Sequence, residues 1–351
     1  MILHEVLETA TAKGASDIFI IAGLPVTFKI KGAQDRLDGD VMKPASIDSL
    51  IDEIYEAAHR QKTALNQGLD DDFSFSIPSL GRFRVNVFRQ RGSLSAVIRV
   101  IKFGIPDYHE LGIPENVMSL ADNMTGLVLV AGAAGSGKST TLACMIDRIN
   151  HLRESHIITM EDPIEYLHSH NKSIVSQREV FIDTPGYLES LRSALRESPD
   201  VILLGEMRDY ETISSAITAA ETGVLLFSTL HTSSAANTIN RIVDVFPAAQ
   251  QVQVRGQLAQ LLKGVVCQQL VTTTDGTITP AFEVLKTNPA IQNMIREGKL
   301  HQLESAMQAA RNDGMITMDT SLMELYQNGR ITKETLLNSC NNYEFVSKRA
   351  L

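Results

Sequence analysis

Apolar residues at Leu3, Val6, Leu7 and Ala10 recur at helical spacing and predict a helix at the start of the chain. A second stripe runs through Ile47, Leu50, Ile51, Ile54, Tyr55 and Ala58, with Ser46 as its candidate N-cap. Elsewhere in this region the pattern changes to alternation: Val26, Phe28, Ile30; then Phe73, Phe75, Ile77; then Phe83, Val85, Val87. A period of two marks antiparallel strands with one buried face. Arg82 and Arg84 fall on the opposite face of the third of these, and the next strand, SAVIRVI, carries Arg99. Residues 1–101 therefore read as a small α/β domain.

The stretch KFGIPDYHELGIPENV holds two Gly, two Pro and several charges, and residues 102–117 read as a linker. Beyond it, short strands that are apolar throughout alternate with helical segments: GLVLVAG, HIITM, DVILLGE and VLLFSTL. Such strands imply a parallel sheet covered on both faces, here over residues 118–287. From 288 to 351 the segments AIQNMIREG, MDTSLMELYQNG and TKETLLNS read as helices. The fold class is α/β: a small domain, a parallel core and a helical end.

Composition narrows the function. Hydrophobic residues at 44% and charged residues at 21% exclude long disorder. A formal net charge of -9, with aromatics at 5% and no Trp, argues against a nucleic-acid partner, because phosphate binding needs a basic surplus and base stacking needs aromatic platforms. No apolar run approaches the roughly 20 residues of a membrane span. No signal peptide is expected at the N-terminus. Cys144, Cys267 and Cys340 are far apart and form neither a CxxC pair nor a disulfide framework. They are expected to be reduced thiols.

One motif carries chemistry directly. Gly132-Ala-Ala-Gly135-Ser136-Gly137-Lys138-Ser139 fits GxxxxGK[ST], with Thr140 following, and stands between an apolar strand and a helix marked by Leu142, Met145, Ile146 and Ile149. The glycines let successive N–H groups curl around phosphate oxygens, and the helix N-terminus adds its positive end. Lys138 reaches the β/γ-phosphates, and the Ser139 hydroxyl can hold Mg²⁺. ATP with Mg²⁺ is the expected ligand.

The other candidates follow the ends of apolar strands, where open α/β sheets place their ligands. Glu161, Asp162 and Glu165 lie in MEDPIEY, and one of these carboxylates could orient and deprotonate an attacking water. Glu206 ends VILLGE at a position like that of a Walker B acid, where it would support Mg²⁺, most simply through water. His231 follows VLLFSTL and could sense a γ-phosphate. His168 and His170 are spaced as a pair on one strand face and are considered as metal ligands.

In this order the pieces resemble the secretion-type ATPases, and within them the PilT-like twitching-motility ATPases. GAAGSGKSTT is similar to the family's Walker A, ITMEDPIEY to its Asp box, LRSALRESPDVILLGEMRD to its Walker B region and STLHTSSAANTINRIVDVFP to its His box. KGASDIFIIAGLPVTFKIKG and GRFRVNVF are similar to its first domain. The resemblance implies a PAS-like domain, a RecA-like core and a homo-hexamer. It implies Glu165 as general base, Glu206 as Walker B acid and His231 as the His-box residue. It implies Arg84 and Arg99 as phosphate contacts at a domain or subunit boundary. The implied function is ATP-driven pilus retraction at the cytoplasmic face of the inner membrane, through a platform protein. Val224 stands where the family usually has a second His, and Phe19 where relatives often carry His. AIQNMIR resembles a retraction-linked AIRNLIR motif, with Gln292 and Met294 as departures.

Rival functions are a retraction-accessory paralogue, a pilus-extension or secretion ATPase, a RecA-like nucleic-acid translocase and a nucleotide-dependent scaffold. Extension enzymes are typically longer and carry a tetracysteine region, which this sequence lacks. Lys138, Glu165 and Glu206 argue for turnover and against a scaffold.

Overall fold

In a computed structural model that describes residues 2–101 and 104–350, the chain divides into two compact units. The first runs up to Gly104 and takes in Glu165–Leu167; the second comprises the remainder.

The first unit holds six strands: β1 (Asp17–Ile20), β2 (Thr27–Ile30), β3 (Ala33–Arg36), β4 (Asp71–Ile77), β5 (Gly81–Gln90) and β6 (Ser93–Ile101). They form one antiparallel sheet in the order β3-β2-β1-β6-β5-β4. Two-residue turns join β2 to β3 and β5 to β6. Lys31-Gly32 and Arg91-Gly92 both have positive φ at each position, which suits the right-handed twist of the flanking strands. Helices Leu3–Ala12 and Pro44–Ala57 bury the two predicted stripes in the same core as Phe28, Phe73, Phe83 and Ile98. The second helix starts at Pro44, with Lys43 preceding it, so Ser46 lies inside the first turn and is not the cap. Proline suits that first turn because its missing N–H would have no partner there. Strands β1 and β3 lie outside the expected set. In β3, AQDR exposes most of its residues, so no apolar alternation marks it.

The second unit is built on β7 (Gly126–Ala131), β8 (His156–Glu161), β9 (Ile174–Glu179), β10 (Val201–Leu204), β11 (Leu225–Leu230), β12 (Leu262–Thr272) and β13 (Ile278–Lys286). The order is β13-β12-β7-β11-β10-β8-β9, parallel except for the antiparallel β12–β13 pair. Alternate residues of each central strand feed two cores, one on each face. Leu127, Leu129, Ile202, Leu204 and Leu226 enter one, and Val128, Val130, Val201, Leu203 and Phe227 the other. Burial on both faces is why these strands read as unbroken apolar runs.

Lys102 and Phe103, the start of the expected linker, lie outside the described residues. The rest of that segment belongs to the second unit: Ile113 and Val117 are buried in its core, and Glu115–Met118 is a short helix. Its glycines and prolines mark turns within a packed segment. Asn288 caps helix Pro289–Glu297, and helices Met318–Gln327 and Lys333–Ser339 follow. Ile291 and Ile295 are fully buried in the larger core, and Met294 packs against it half-buried. Val224 is also buried there, whereas Phe19 is half-buried on the face of β1 opposite the core residues Ile18 and Ile20. Among the described residues no helix is long and apolar enough to cross a membrane.

Candidate functional site

Strand β7 ends at Ala131, and the chain turns through Gly132–Gly137 into helix Lys138–Leu152. Gly137 sits immediately before the helix at φ 87°, a left-handed conformation that costs a side-chain-bearing residue steric energy. Space is also restricted. A Cβ on Gly132 would lie 2.3 Å from the Gln268 carbonyl oxygen, and one on Gly137 would lie 2.8 Å from Gln268 Nε2. Gln268, on β12, further accepts a 2.7 Å hydrogen bond from the Thr141 hydroxyl in the helix's first turn. This glutamine therefore backs the glycine turn along its length. No local pattern marks it, because the contact joins residues 127 apart.

The side chains of the turn are arranged for an anion. Lys138 is buried, and its Nζ donates to the Gly132 and Ala133 carbonyls at 2.8 Å each. Ser136 Oγ is buried without a hydrogen-bond partner. Ser139 and Thr140 are half-buried in the first helical turn. An orphaned hydroxyl, a lysine ammonium and a helix N-terminus around one turn form a phosphate cradle.

The carboxyl ends of β7, β8, β10 and β11 lie along one edge of the parallel sheet. Glu206, two residues beyond β10, has a side chain 12% exposed and is flanked by two cationic or cationisable groups. Arg208 Nη2 lies 2.7 Å from one carboxylate oxygen and His231 Nε2 lies 3.6 Å from the other. The structure thus brings Glu206 and His231 together and adds Arg208. Arg208 stands two residues from Glu206 in GEMRD and was legible as a nearby charge, though its partner was not. Tyr187 closes this region. Its hydroxyl would lie 2.8 Å from a Cβ on Gly205, and burial, with the charges of Glu206 and Asp162, pushes its acidity well below that of an ordinary phenol. Asp162, Phe181, Tyr187, Glu206, Arg208 and Thr212 line a cavity of about 400 Å³.

The three carboxylates of MEDPIEY differ in their surroundings. Glu161 ends β8, and its Oε1 accepts from the Thr159 hydroxyl at 2.7 Å and from Gln177 Nε2 at 3.3 Å. Asp162 and Glu165 are exposed. Arg84 and Arg99 face each other across β5 and β6 in the first unit. Arg84 is paired with Asp72 at 3.1 and 2.6 Å, and Arg99 with Asp17 at 3.2 Å.

His168 and His170 do not form the considered metal pair. They lie before β9, not on a strand. His170 Nδ1 accepts from the Val175 backbone N–H at 3.0 Å, while burial lowers His168 to about 4 and keeps it neutral. Among the described residues no group of three or more such side chains is placed to hold a metal. Burial raises the thiols of Cys144, to about 12, and Cys267.

A glycine turn between a central parallel strand and a helix, with an acid beyond a neighbouring strand of the same sheet, defines a P-loop nucleoside triphosphatase core. The family model for type II/IV secretion system proteins matches residues 1–348, and the chain belongs to that family. It is 45% identical to the type IV pilus retraction ATPase PilT of Pseudomonas aeruginosa over 95% of this chain and 96% of that protein. It is 39% identical to the type IV pilus ATPase PilU of the same organism, over 99% and 92%. A crystal structure of the pilus retraction motor PilT with bound ADP superposes with a TM-score of 0.90 at 44% identity, covering 99% of each chain. The resemblance expected from the motifs therefore holds along nearly the whole chain.

Proposed function

We propose that this chain is the ATP-hydrolysing motor of type IV pilus retraction, working as a homo-hexamer on an inner-membrane platform protein at the cytoplasmic face, with no nucleic-acid partner. The observation that carries this reading is full-length similarity to a retraction ATPase together with an intact phosphate cradle. Hard oxygen donors at Ser139 and Glu206 fit Mg²⁺, and the cradle of Gly132, Gly135, Ser136, Gly137, Lys138, Ser139 and Thr140 fits the phosphates. When bound, the ion would neutralise charge on the β- and γ-phosphates.

Glu165 is the general base in this reading. Glu161 already accepts two hydrogen bonds on one oxygen, from Thr159 and Gln177, whereas Glu165 is exposed and open to a water. His231 reports the γ-phosphate to Glu206, its neighbour. Arg84 and Arg99 contact phosphates at a domain or subunit boundary, a role supported by the resemblance.

Phosphate release from the purified protein tests the reading. Glu165→Gln lowers turnover by about 10²–10⁴-fold while ATP still binds. A larger loss in Glu161→Gln transfers the role to that residue. Mixing Arg84→Ala/Arg99→Ala subunits with Glu165→Gln subunits restores activity if the site is shared between subunits; no restoration under proven mixing refutes sharing. The second reading, a retraction-accessory paralogue, draws on the 39% identity to PilU and on Gln292 in the retraction-linked helix. A deletion that leaves retraction intact favours it.

A further inference from the structure

Strand β9 pairs in parallel with β8, bringing Gln177 opposite Thr159 and Glu179 opposite Glu161. Gln177 and Glu179 are two apart, so they share one face of the strand. Their side chains reach the segment that connects β8 to β9. Glu179, only 3% exposed, accepts a 3.1 Å hydrogen bond from the Ile164 backbone N–H through Oε2. Gln177 accepts a 2.8 Å hydrogen bond from the His168 backbone N–H through Oε1, and its Nε2 donates to Glu161. The two anchored N–H groups bracket residues 165–167. Glu179 is itself fixed: its backbone N–H donates to Asp183 Oδ2 at 2.7 Å, and the adjacent Val180 N–H donates to the Glu161 carbonyl at 2.8 Å.

We propose that Gln177 and Glu179 are positioning residues that clamp both ends of the segment carrying Glu165 and so set where its carboxylate stands during hydrolysis. This rests on Glu165 being the general base. The physical reason for a clamp is that residues 162–166 belong to no strand, and Leu167 forms no more than an isolated bridge. The residues after Glu161 leave the strand, so their backbone direction is fixed by whatever accepts their N–H groups. A buried carboxylate is a strong acceptor, since a charge-assisted hydrogen bond is about twice as strong as a neutral one. Gln177 adds a relay: its amide ties the far end of the segment to Glu161, which the Thr159 hydroxyl holds in turn. Glu161 thereby belongs to the frame that aims the base. A misplacement of about 1 Å in such a group costs on the order of 10²-fold in rate.

The test uses the full-length protein with MgATP and reads kcat, KM and the affinity for a non-hydrolysable ATP analogue. Gln177→Ala, at a half-buried position that tolerates truncation, should lower kcat by about 10–100-fold with KM and analogue affinity near wild type. Glu179→Gln, which keeps an acceptor for the Ile164 N–H, should retain most of the turnover that Glu179→Ala loses. On a Glu165→Gln background, adding Gln177→Ala should cause no further loss, because the clamp acts only through the base. Wild-type kcat in Gln177→Ala, a multiplicative loss on the Glu165→Gln background, or a fall in analogue affinity that accounts for the whole effect overturns the clamp while leaving the base in place. Normal turnover in Glu165→Gln overturns the base reading and the clamp with it.

Discussion

Replacing Gln268 by Leu isolates the support beneath the phosphate cradle. The Thr141 hydroxyl is fully buried, and Gln268 Oε1 accepts its hydrogen bond at 2.7 Å. Leucine keeps most of the glutamine's volume but accepts nothing, so the hydroxyl is left buried without a partner, at a cost of about 1–3 kcal/mol. Thr141→Val strands the Gln268 amide oxygen in the same way and costs a similar amount. Both positions touch the turn that must close on phosphate. If the strain is relieved by loosening that turn, nucleotide affinity falls about tenfold for each 1.4 kcal/mol. The Gln268→Leu/Thr141→Val double variant removes both polar partners together and should recover much of the loss, because replacing a hydrogen-bonded pair by apolar groups is far less costly than orphaning one member. The assay is a double-mutant cycle, read by urea unfolding and by titration with a fluorescent non-hydrolysable ATP analogue. Single variants within about 0.5 kcal/mol of wild type, or a double variant equal to the sum of the singles, would refute the assigned contact.

Lys138→Ala should abolish hydrolysis and weaken nucleotide binding, since the phosphates lose their point charge; a phosphate-release assay showing near-normal turnover removes the P-loop assignment. Ile291→Ala should destabilise the second unit by about 2–5 kcal/mol in denaturant titration, because the side chain is fully buried. Asn293→Ala/Arg296→Ala, on the exposed face of the same helix where the two side chains bond at 2.7 Å, should keep ATP turnover and lose retraction in cells. Asp71 gives the first unit a pH dependence. Burial pushes its carboxyl up, but hydrogen bonds from Arg60 and Tyr55 outweigh this and hold it below its ordinary 3.8. The folded state therefore binds that proton less tightly than the unfolded chain, so the stabilisation is present above about pH 4 and is lost as pH falls through the folded value. Asp71→Asn should flatten the urea midpoint against pH in that window.

Strands β7, β8, β10 and β11 were legible because burial on both faces writes an unbroken apolar run. The cradle was legible because its glycines, lysine and serine are contiguous. What the sequence hid depends on pairing at a distance. Strand β9, IVSQRE, is four-sixths polar, and two of those polar residues, Gln177 and Glu179, turn toward the β8–β9 connection. The β12–β13 hairpin carries Gln268 and Gln269 within an eleven-residue strand, and the oxygen of the buried Gln268 amide is met by the Thr141 hydroxyl. Polar residues that serve the site interrupted the patterns by which strands are recognised, so the missed elements are largely those that support the chemistry.

Retraction powered by this chain's own hydrolysis is tested most directly by pilus dynamics in cells from which its gene has been deleted, complemented with the wild-type or the Glu165→Gln protein. The account predicts hyperpiliated, immotile cells on deletion, retraction restored by the wild-type protein, and no retraction with Glu165→Gln. Bald cells on deletion, or retraction restored by Glu165→Gln, would contradict it.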